Sequence, residues 1–123
     1  VILDVGHNPQ AARGLAESLR ALPAGGRLTA VFAMLKDKDI AGVAQPLARQ
    51  VDEWLVATLP GPRGAGARRM EQALASIGVS APISRFDSAA AAYQSAIRSA
   101  GQDDKILVFG SFFTVGAVVQ ARG

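Results

Sequence analysis

The stretch Val1-Ile2-Leu3-Asp4-Val5-Gly6-His7-Asn8-Pro9 passes from an apolar run through a turn into a helical pattern, and it decides the fold. The apolar run predicts a strand, and Gly6 can take the positive φ angle that a tight turn needs. Asn8 is a good N-cap and Pro9 suits the first helical position, so a helix begins at one of these two residues. In open α/β sheets, ligands bind beyond the carboxyl ends of the strands, where such a turn lies. The polar residues of this turn are therefore the first candidates for a binding site.

The rest of the chain alternates short β-like runs with helical patterns, which is typical of βαβ units. Strands are predicted at residues 1–4, 28–33, 54–57, 83–86 and 105–109. Helices are predicted from residue 9 to the break at 23–26, within 37–47, through 70–77 as far as Gly78, after a cap at Asp87 or Ser88, and after Gly110-Ser111. We therefore predict one α/β domain over residues 1–123, a doubly wound, mostly parallel sheet of about five or six strands with helices on both faces.

One proline conflicts with the second of these helices. The apolar spacing places its start near Asp37 or Asp39. Pro46 falls inside it, where a proline removes one hydrogen bond and clashes with the preceding turn. The helix is therefore expected either to kink or to start late, near Gly42.

Composition limits the function classes. The chain has 123 residues, 50% hydrophobic and 19% charged, which is enough for one domain that buries roughly two-thirds of its unfolded surface. No apolar run approaches the ~20 residues that span a bilayer, and nothing at the N-terminus resembles a signal peptide. The absence of cysteine excludes disulfides, thiolate metal sites and thiol nucleophiles, and a cytoplasmic location is the default expectation. The chain lacks an initiator Met and starts inside a strand, which predicts a fragment of a longer protein.

The net charge of +3 is only a mild basic excess, with one local concentration at Arg63, Arg68 and Arg69. A nucleic-acid surface pairs a broader basic face with stacking aromatic side chains, and this chain has one Trp and one Tyr. We interpret the cluster as a solvated loop and helix start, and we expect neither a nucleic-acid nor a membrane partner.

Three polar residues are candidates for chemistry, and each has a structural alternative. Asp4 at a strand end can accept two ribose hydroxyls, or it can bond to backbone N–H groups of its own turn. His7 cannot build a zinc site without cysteines or an HExxH motif, so it is either a hydrogen-bonded loop residue or a catalytic group. Ser111 is a helix N-cap, a group that holds a carboxylate with its hydroxyl and N–H, or both. Turns after the first and last parallel strands lie at one sheet edge, so these residues are expected to share a rim.

Two nucleotide-binding motifs, GxxxxGK[ST] and GxGxxG, are missing, so the chain has no obvious means of holding a triphosphate or a dinucleotide by itself. The run Gly61-Pro62-Arg63-Gly64-Ala65-Gly66 is not a substitute for them. It predicts a structured loop, from which Arg63 either reaches a ligand or has a structural or solvated role.

Four segments together resemble the folylpolyglutamate synthase and dihydrofolate synthase family of the Mur ligase superfamily. Asp4-Val5-Gly6-His7-Asn8-Pro9 is similar to the family's Asp-Gly-Ala-His-Asn-Pro, and Val31-Phe32-Ala33-Met34-Leu35-Lys36-Asp37-Lys38-Asp39 to its Gly-Met-Leu-x-Asp-Lys-Asp. Gly61-Pro62-Arg63-Gly64-Ala65 is similar to its Gly-Pro-Arg loop, and Val108-Phe109-Gly110-Ser111-Phe112 to its closing Phe-Gly-Ser. The segments occur in the family's order and correspond to its C-terminal domain.

The resemblance implies one domain of an ATP-dependent amide ligase, inert in isolation. In this family, ATP phosphorylates the carboxylate of dihydropteroate or the γ-carboxylate of a folate, and the amine of L-glutamate then displaces phosphate. The resemblance implies that Asp4 contacts the ATP ribose and that His7, Asn8 and Ser111 bind glutamate, with His7 also orienting the amine. It implies as partner a larger N-terminal ATPase domain of the same protein, which holds most of the ATP, the Mg²⁺ and the folate substrate; no metal ligand is expected in this chain.

The sequence departs from the family at Val5-Gly6, where the family has Gly-Ala, and at Ala33, where it has Gly. Two alternatives therefore stay open. One is a Mur-type ligase for another amino acid, against which the paired His-Asn-Pro and Phe-Gly-Ser segments argue. The other is a non-catalytic doubly wound module that binds a nucleotide or a partner.

Overall fold

The computed structural model describes residues 2–4, 6–22 and 25–122, and its sheet has five strands. The strands are β1 (Ile2–Asp4), β2 (Leu28–Phe32), β3 (Glu53–Ala57), β4 (Ile83–Phe86) and β5 (Lys105–Phe109). The α-helices are α1 (Pro9–Arg20), α2 (Ile40–Ala44), α3 (Ala67–Ser76), α4 (Ala89–Ser99) and α5 (Phe112–Arg122). Val1 of the predicted first strand, Val5 of the turn and the 23–24 part of the predicted helix break lie outside the described residues.

The strand order is β1-β5-β2-β3-β4, and every neighbouring pair is parallel. The last strand therefore lies between the first and the second. Asp4 is in register with Phe109, and Phe109 is in register with Phe32, so three strands end at one level. The turns that follow β1 and β5 are neighbours at the carboxyl edge, which confirms the prediction that the first and last strands end side by side.

Helices cover both faces of the sheet, as predicted. Alternate residues of a strand point to opposite faces, so Phe32, Trp54 and Phe109 share one core with α1, α2 and α3. Val31, Leu55 and other intervening residues form a second core with α4 and α5. In the first core the ring centroids of Phe32 and Phe109 are 4.5 Å apart and those of Phe32 and Trp54 are 5.5 Å apart. The doubly wound α/β prediction is therefore confirmed.

The helix ends follow the predicted capping chemistry. The Asn8 side chain accepts a hydrogen bond from Ala11 N at 2.9 Å, and Ser88 Oγ accepts one from Ala91 N at 3.1 Å. Gly78, with φ of +78°, follows α3 in the left-handed conformation typical of a helix end. Local sequence therefore sets these boundaries.

Pro46 neither kinks the second helix nor delays its start. Asp39 caps α2 by accepting a hydrogen bond from Gly42 N at 3.0 Å, so the helix begins at Ile40. The α-helix ends at Ala44, and Pro46 lies in the 3₁₀ turn that continues it. The tighter turn accommodates a residue without an N–H, and the expectation of a start near Gly42 was wrong.

The apolar spacing of the sequence also predicts that Leu22, Ile97 and Val119 lie on the buried faces of their helices, but all three are exposed. α1 ends at Arg20, so Leu22 lies beyond it, and the side chains of Ile97 and Val119 point away from the two cores. Apolar residues scattered singly on a surface are ordinary in proteins. The helical period therefore predicts the central core residues correctly but also assigns to the core some residues near its edge that are exposed.

A carboxylate ties the starts of β2 and β5 together at the opposite, amino edge of the sheet. Asp104 accepts hydrogen bonds from the backbone N–H groups of Arg27 and Gly101, each at 2.8 Å. The Arg27 bond, followed by the Gly101 bond, holds the pKa of this carboxyl below its ordinary value of 3.8. Because the folded-state pKa is lowered, the stabilisation is present above the unfolded value and is lost as the pH falls through the folded one.

We therefore expect Asp104→Asn to lower the free energy of unfolding at pH 6. The difference in this free energy between the variant and the original protein should shrink progressively below pH 3.8. Thermal unfolding of both proteins across this range measures the difference. A difference that stays constant down to the lowest pH would contradict the assigned role of the charged form. Asp103→Asn, in the same turn, is the matched control.

Candidate functional site

Loops that follow β1, β2 and β5 meet around a small cavity at the carboxyl edge of the sheet. Its volume is about 240 Å³, and it is lined by His7, Leu35, Lys38, Gly110, Ser111 and Phe113. We call it the rim cavity. Pockets for drug-sized ligands span roughly 300–1,000 Å³, so the rim cavity suits a ligand of amino-acid size.

A larger groove of about 790 Å³ lies at the amino edge of the sheet. It is lined by the C-terminal ends of helices and by residues just before β3 and β4, among them Arg20, Asp52 and Ala81. Ligands of parallel α/β sheets bind at the opposite edge, beyond the carboxyl ends of the strands. We therefore place the candidate site at the rim cavity despite its smaller size.

His7 and Ser111 lie 104 positions apart in sequence, yet both line the rim cavity. The His7 side chain is exposed at the turn between β1 and α1. Parallel pairing of β1 with β5 brings this turn beside the turn into α5. The expectation that these two residues share a rim is confirmed.

The Asp4 carboxylate is engaged in its own turn. Its Oδ1 atom accepts a hydrogen bond from Gly6 N at 2.6 Å, and the side chain is half-buried. This bond is the structural alternative considered for Asp4. Among the described residues no other group donates to this carboxylate, so Oδ2 is available for a further contact. Asp4 lies at the end of β1, next to the rim cavity but outside its lining, and its contact with a ribose stays a prediction.

Gly6 is required for a different reason from the one expected. Its φ angle is not positive, so the turn does not use the left-handed conformation. A Cβ atom on Gly6 would instead lie 2.7 Å from Asp4 Oδ1 and 3.1 Å from the Ala11 Cβ. The glycine allows the backbone to approach the carboxylate closely, and a side chain there would displace Asp4.

The Ser111 hydroxyl is committed to the first turn of α5. Ser111 Oγ accepts a hydrogen bond from Thr114 N at 3.0 Å and lies 2.7 Å from Thr114 Oγ1. Thr114 Oγ1 donates its one proton to Ala33 O at 2.8 Å, so the Ser111 hydroxyl is the donor in the bond between the two side chains. Both side chains are buried, with 4% of Ser111 exposed.

The helix N-cap interpretation of Ser111 is therefore confirmed. Its alternative role, binding a carboxylate, stays a prediction, and it now depends on the backbone N–H groups at the start of α5 rather than on the hydroxyl. Such N–H groups, at the positive end of the helix dipole, favour an anion. Ser111 fixes where those groups point.

The carbonyl of Ala33 anchors this turn to the end of β2. Thr114 donates to it from one side, and Gly110 packs against it from another. Gly110 has φ of +120°, and a Cβ there would come within 2.2 Å of Ala33 O. No side chain fits this position, so the start of α5 is held against β2 by a close backbone contact.

The Gly-Pro-Arg loop supports the neighbouring loop after β2 and does not line the rim cavity. Lys36 N donates to Arg63 O at 2.8 Å, and the Arg63 guanidinium lies 3.6 Å from the Asp37 carboxylate. Both side chains of this ion pair are largely exposed, so the pair itself contributes little to stability. Of the two interpretations of Arg63, the structure supports the structural one, and direct contact with a ligand stays a prediction.

Asn8 does not line the rim cavity either, since its side chain caps α1. Lys38, Leu35 and Phe113 are lining residues that the sequence analysis did not select. Lys38 occurs in a charged run directly after a predicted strand, a position that alone marks it as a candidate. What the sequence did not reveal is that β2 lies next to β5, which brings that run to His7 and Ser111.

Among the described residues, no group of three or more His, Cys, Asp or Glu side chains is arranged to hold a metal ion. In the same part of the chain, every helix is too short or too polar to span a bilayer.

A comparison with known families identifies the domain. The profile of the family described as "Mur ligase, glutamate ligase domain" matches residues 1–112. The chain belongs to this family. The Escherichia coli (strain K12) dihydrofolate synthase/folylpolyglutamate synthase is 48% identical over 120 residues, which are 98% of this chain and 27% of that protein. The Haemophilus influenzae protein of the same name is 42% identical over 117 residues. The chain thus spans about 27% of the length of these curated relatives.

Solved structures of such enzymes share the fold of this Mur ligase domain. Escherichia coli FolC in complex with DHPP and ADP superposes with a TM-score of 0.89 at 44% identity, covering 97% of this chain and 27% of that one. A bifunctional folylpolyglutamate synthase/dihydrofolate synthase with Mn, AMPPNP and L-glutamate bound superposes with a TM-score of 0.85 at 43% identity, covering 98% of this chain and 28% of that one. The family resemblance in the four sequence segments is thereby confirmed.

Proposed function

We propose that this chain is the glutamate-binding domain of an ATP-dependent ligase that adds L-glutamate to dihydropteroate, to folylpolyglutamate or to both. The observation that carries the proposal is the rim cavity, which His7 and Ser111 line together. Relatives named dihydrofolate synthase/folylpolyglutamate synthase support it, because one of the similar structures has L-glutamate and an ATP analogue bound.

The reaction makes an amide through an acyl phosphate. The terminal phosphoryl group of ATP moves to the acceptor's carboxylate and ADP leaves. The unprotonated amine of glutamate then attacks the acyl carbon, the bond from that carbon to the phosphate oxygen breaks, and the nitrogen loses a proton. For such a reaction the protein supplies position and charge neutralisation.

This chain's residues hold the amino acid. The N–H groups at the start of α5 bind one carboxylate of glutamate in the rim cavity. His7, at the mouth of the cavity, binds or orients the amino acid so that its amine points out toward the acyl phosphate. His7 is catalytic through this placement and is not assigned the role of general base. Asn8, as the cap of α1, holds the turn at His7 and is a secondary glutamate contact.

ATP is shared between this chain and a larger ATPase domain of the same protein. Asp4, with Oδ1 already bonded to Gly6 N, offers its other carboxylate oxygen to the ribose. The described residues do not fit a magnesium site, since they contain no cluster of three candidate ligands. We assign Mg²⁺ and most of the ATP and folate contacts to that other domain, and we place the enzyme in the cytoplasm without nucleic-acid or membrane partners.

Kinetics of the full-length ligase test this division of roles. His7→Ala is expected to raise the KM for glutamate about tenfold or more, because a hydrogen bond to a charged group contributes about 1.5–3 kcal/mol. Asp4→Ala is expected to raise the KM for ATP by a similar factor and to leave the KM for glutamate nearly unchanged.

Gln10→Ala, an exposed position in the first turn of α1, is the matched control and should change neither constant. Equal losses for both substrates in both variants would contradict the proposed roles. A full-length protein that forms no ADP with glutamate and either folate acceptor would contradict the function itself.

A further inference from the structure

An uncharged groove adjoins the rim cavity at the carboxyl edge of the sheet. Its volume is about 400 Å³, and it lies between the loop after β3, the start of α4 and one face of α5. Lining residues such as Leu59, Ala90 and Gly116 are apolar or small, and among the described residues none that lines it carries a charge. We call it the apolar groove. A phosphate or carboxylate bound there would find no charged side chain of this domain to pair with.

Phe113 joins the apolar groove to the rim cavity, since it is the one described residue that lines both. Its side chain is aromatic, yet Phe113 is 64% exposed, more than any other large apolar residue in the described part of the chain. The first turn of α5, which carries it, is anchored through Ser111 and Thr114 to Ala33 O. Phe113 therefore presents a flat apolar surface at a fixed place beside the proposed glutamate site.

The proposed reaction requires an aromatic ring close to this point. In dihydropteroate the reacting carboxylate is bonded directly to the benzene ring of the p-aminobenzoyl group. The glutamate amine has to come within about 3–3.5 Å of the acyl carbon before it attacks. The ring, one bond further on, therefore lies next to an amine that points out of the rim cavity. In folylpolyglutamate the reacting carboxylate ends an aliphatic glutamyl chain, so the ring is several bonds further away.

We infer that Phe113 and the apolar groove bind the p-aminobenzoyl ring of dihydropteroate, so that this domain contributes to the acceptor site as well as to the glutamate site. The inference rests on the proposed function, because it names the substrate whose ring Phe113 contacts. Aromatic rings pack favourably in offset or edge-to-face arrangements, and both rings lose apolar surface to water when they meet. The groove, in contrast, has no charged group that would hold the carboxylates of a polyglutamate tail.

The test measures kcat/KM of the full-length protein for dihydropteroate and for folylpolyglutamate, each with saturating ATP and glutamate. Phe113→Ser removes the ring at an exposed position, where a substitution has little effect on folding. We expect kcat/KM for dihydropteroate to fall roughly tenfold, as for the loss of one aromatic contact, and that for folylpolyglutamate to change much less. The KM for glutamate should change little, because the ring carries no group that pairs with its charges.

Two further variants complete the comparison. Phe113→Tyr keeps the ring and should retain most of the activity with dihydropteroate. Val119→Ser is the matched control, since Val119 is an exposed apolar residue of the same helix that lines neither the rim cavity nor the apolar groove. This variant should leave kcat/KM for both acceptors unchanged.

Equal losses for the two acceptors in Phe113→Ser would overturn the inference and would indicate instead that a segment of the other domain covers Phe113. An unchanged kcat/KM for dihydropteroate would overturn it as well, and so would a wild-type protein that accepts only folylpolyglutamate. If the protein accepts only dihydropteroate, a KM for glutamate that rises as much as the KM for dihydropteroate is the overturning result. A protein that forms no ADP with glutamate and either acceptor would refute the proposed function, so the two failures are distinguishable.

Discussion

Replacing Gly110 by alanine is expected to be among the most damaging single changes in this domain. The residue has φ of +120°, a conformation that costs an L-residue about 1–2 kcal/mol. The new Cβ would also lie 2.2 Å from Ala33 O, and overpacking of this kind costs typically 1–3 kcal/mol. Together these terms predict a loss of about 3 kcal/mol in the free energy of unfolding, measured by denaturant unfolding of the domain.

Gly116→Ala is the control for this experiment. Gly116 lies inside α5, its φ is not positive, and no atom lies within 4 Å of a Cβ built on it. Alanine in an exposed helix interior is about 0.5–1 kcal/mol better than glycine, so this variant should be neutral or more stable. Similar losses at Gly110 and Gly116 would show that the close contact with Ala33 O does not hold the start of α5.

Replacing Thr114 by valine tests the same anchor from its other side. The valine has the shape of threonine but removes the hydroxyl that donates to Ala33 O and accepts from Ser111. Two buried polar groups lose a partner, and each such loss costs about 1–3 kcal/mol. We expect the free energy of unfolding to fall by about 2 kcal/mol or more. Under the proposed function, the KM of the full-length protein for glutamate should also rise, because the start of α5 shifts.

Thr114→Ser separates the hydrogen bonds from the packing. It keeps the hydroxyl and loses one methyl group, which accounts for about 1 kcal/mol at a buried site. The serine variant should therefore be more stable than the valine variant and should bind glutamate nearly normally. The reverse order would mean that packing of the methyl group, rather than the hydrogen-bonded chain to Ala33 O, positions α5.

Much of the fold follows from local sequence because local interactions set it. Asn8 and Ser88 cap helices where their side chains predict, and Gly78 ends one. Local sequence limits the possible strand orders but does not determine one. The insertion of β5 between β1 and β2 depends on contacts between residues that are distant in sequence. Pro46 shows the limit of the rule that a proline kinks or delays a helix. The proline does not fit an α-helix interior, and the chain accommodates it by changing from α to 3₁₀ geometry after Ala44.

The candidate site was predictable in part. Asp4 ends β1, and His7 and Ser111 lie in the turns after β1 and β5, so the rule for parallel sheets places all three at one edge. Lys38 and Phe113 were missed because their place in the cavity depends on which strands are neighbours and on how the loop after β2 is held. Gly6 shows a further limit, since sequence indicated that a glycine was needed but not that a close approach of Asp4, rather than a positive φ, requires it.

A crystal structure of the full-length protein with an unreactive ATP analogue and L-glutamate tests the proposed glutamate site. We predict that glutamate lies in the rim cavity. One carboxylate should lie within roughly 3 Å of the backbone N–H groups at the start of α5, and the amine should face out beside His7. Glutamate bound elsewhere, such as in the groove at the amino edge, while the rim cavity holds only water, would contradict it.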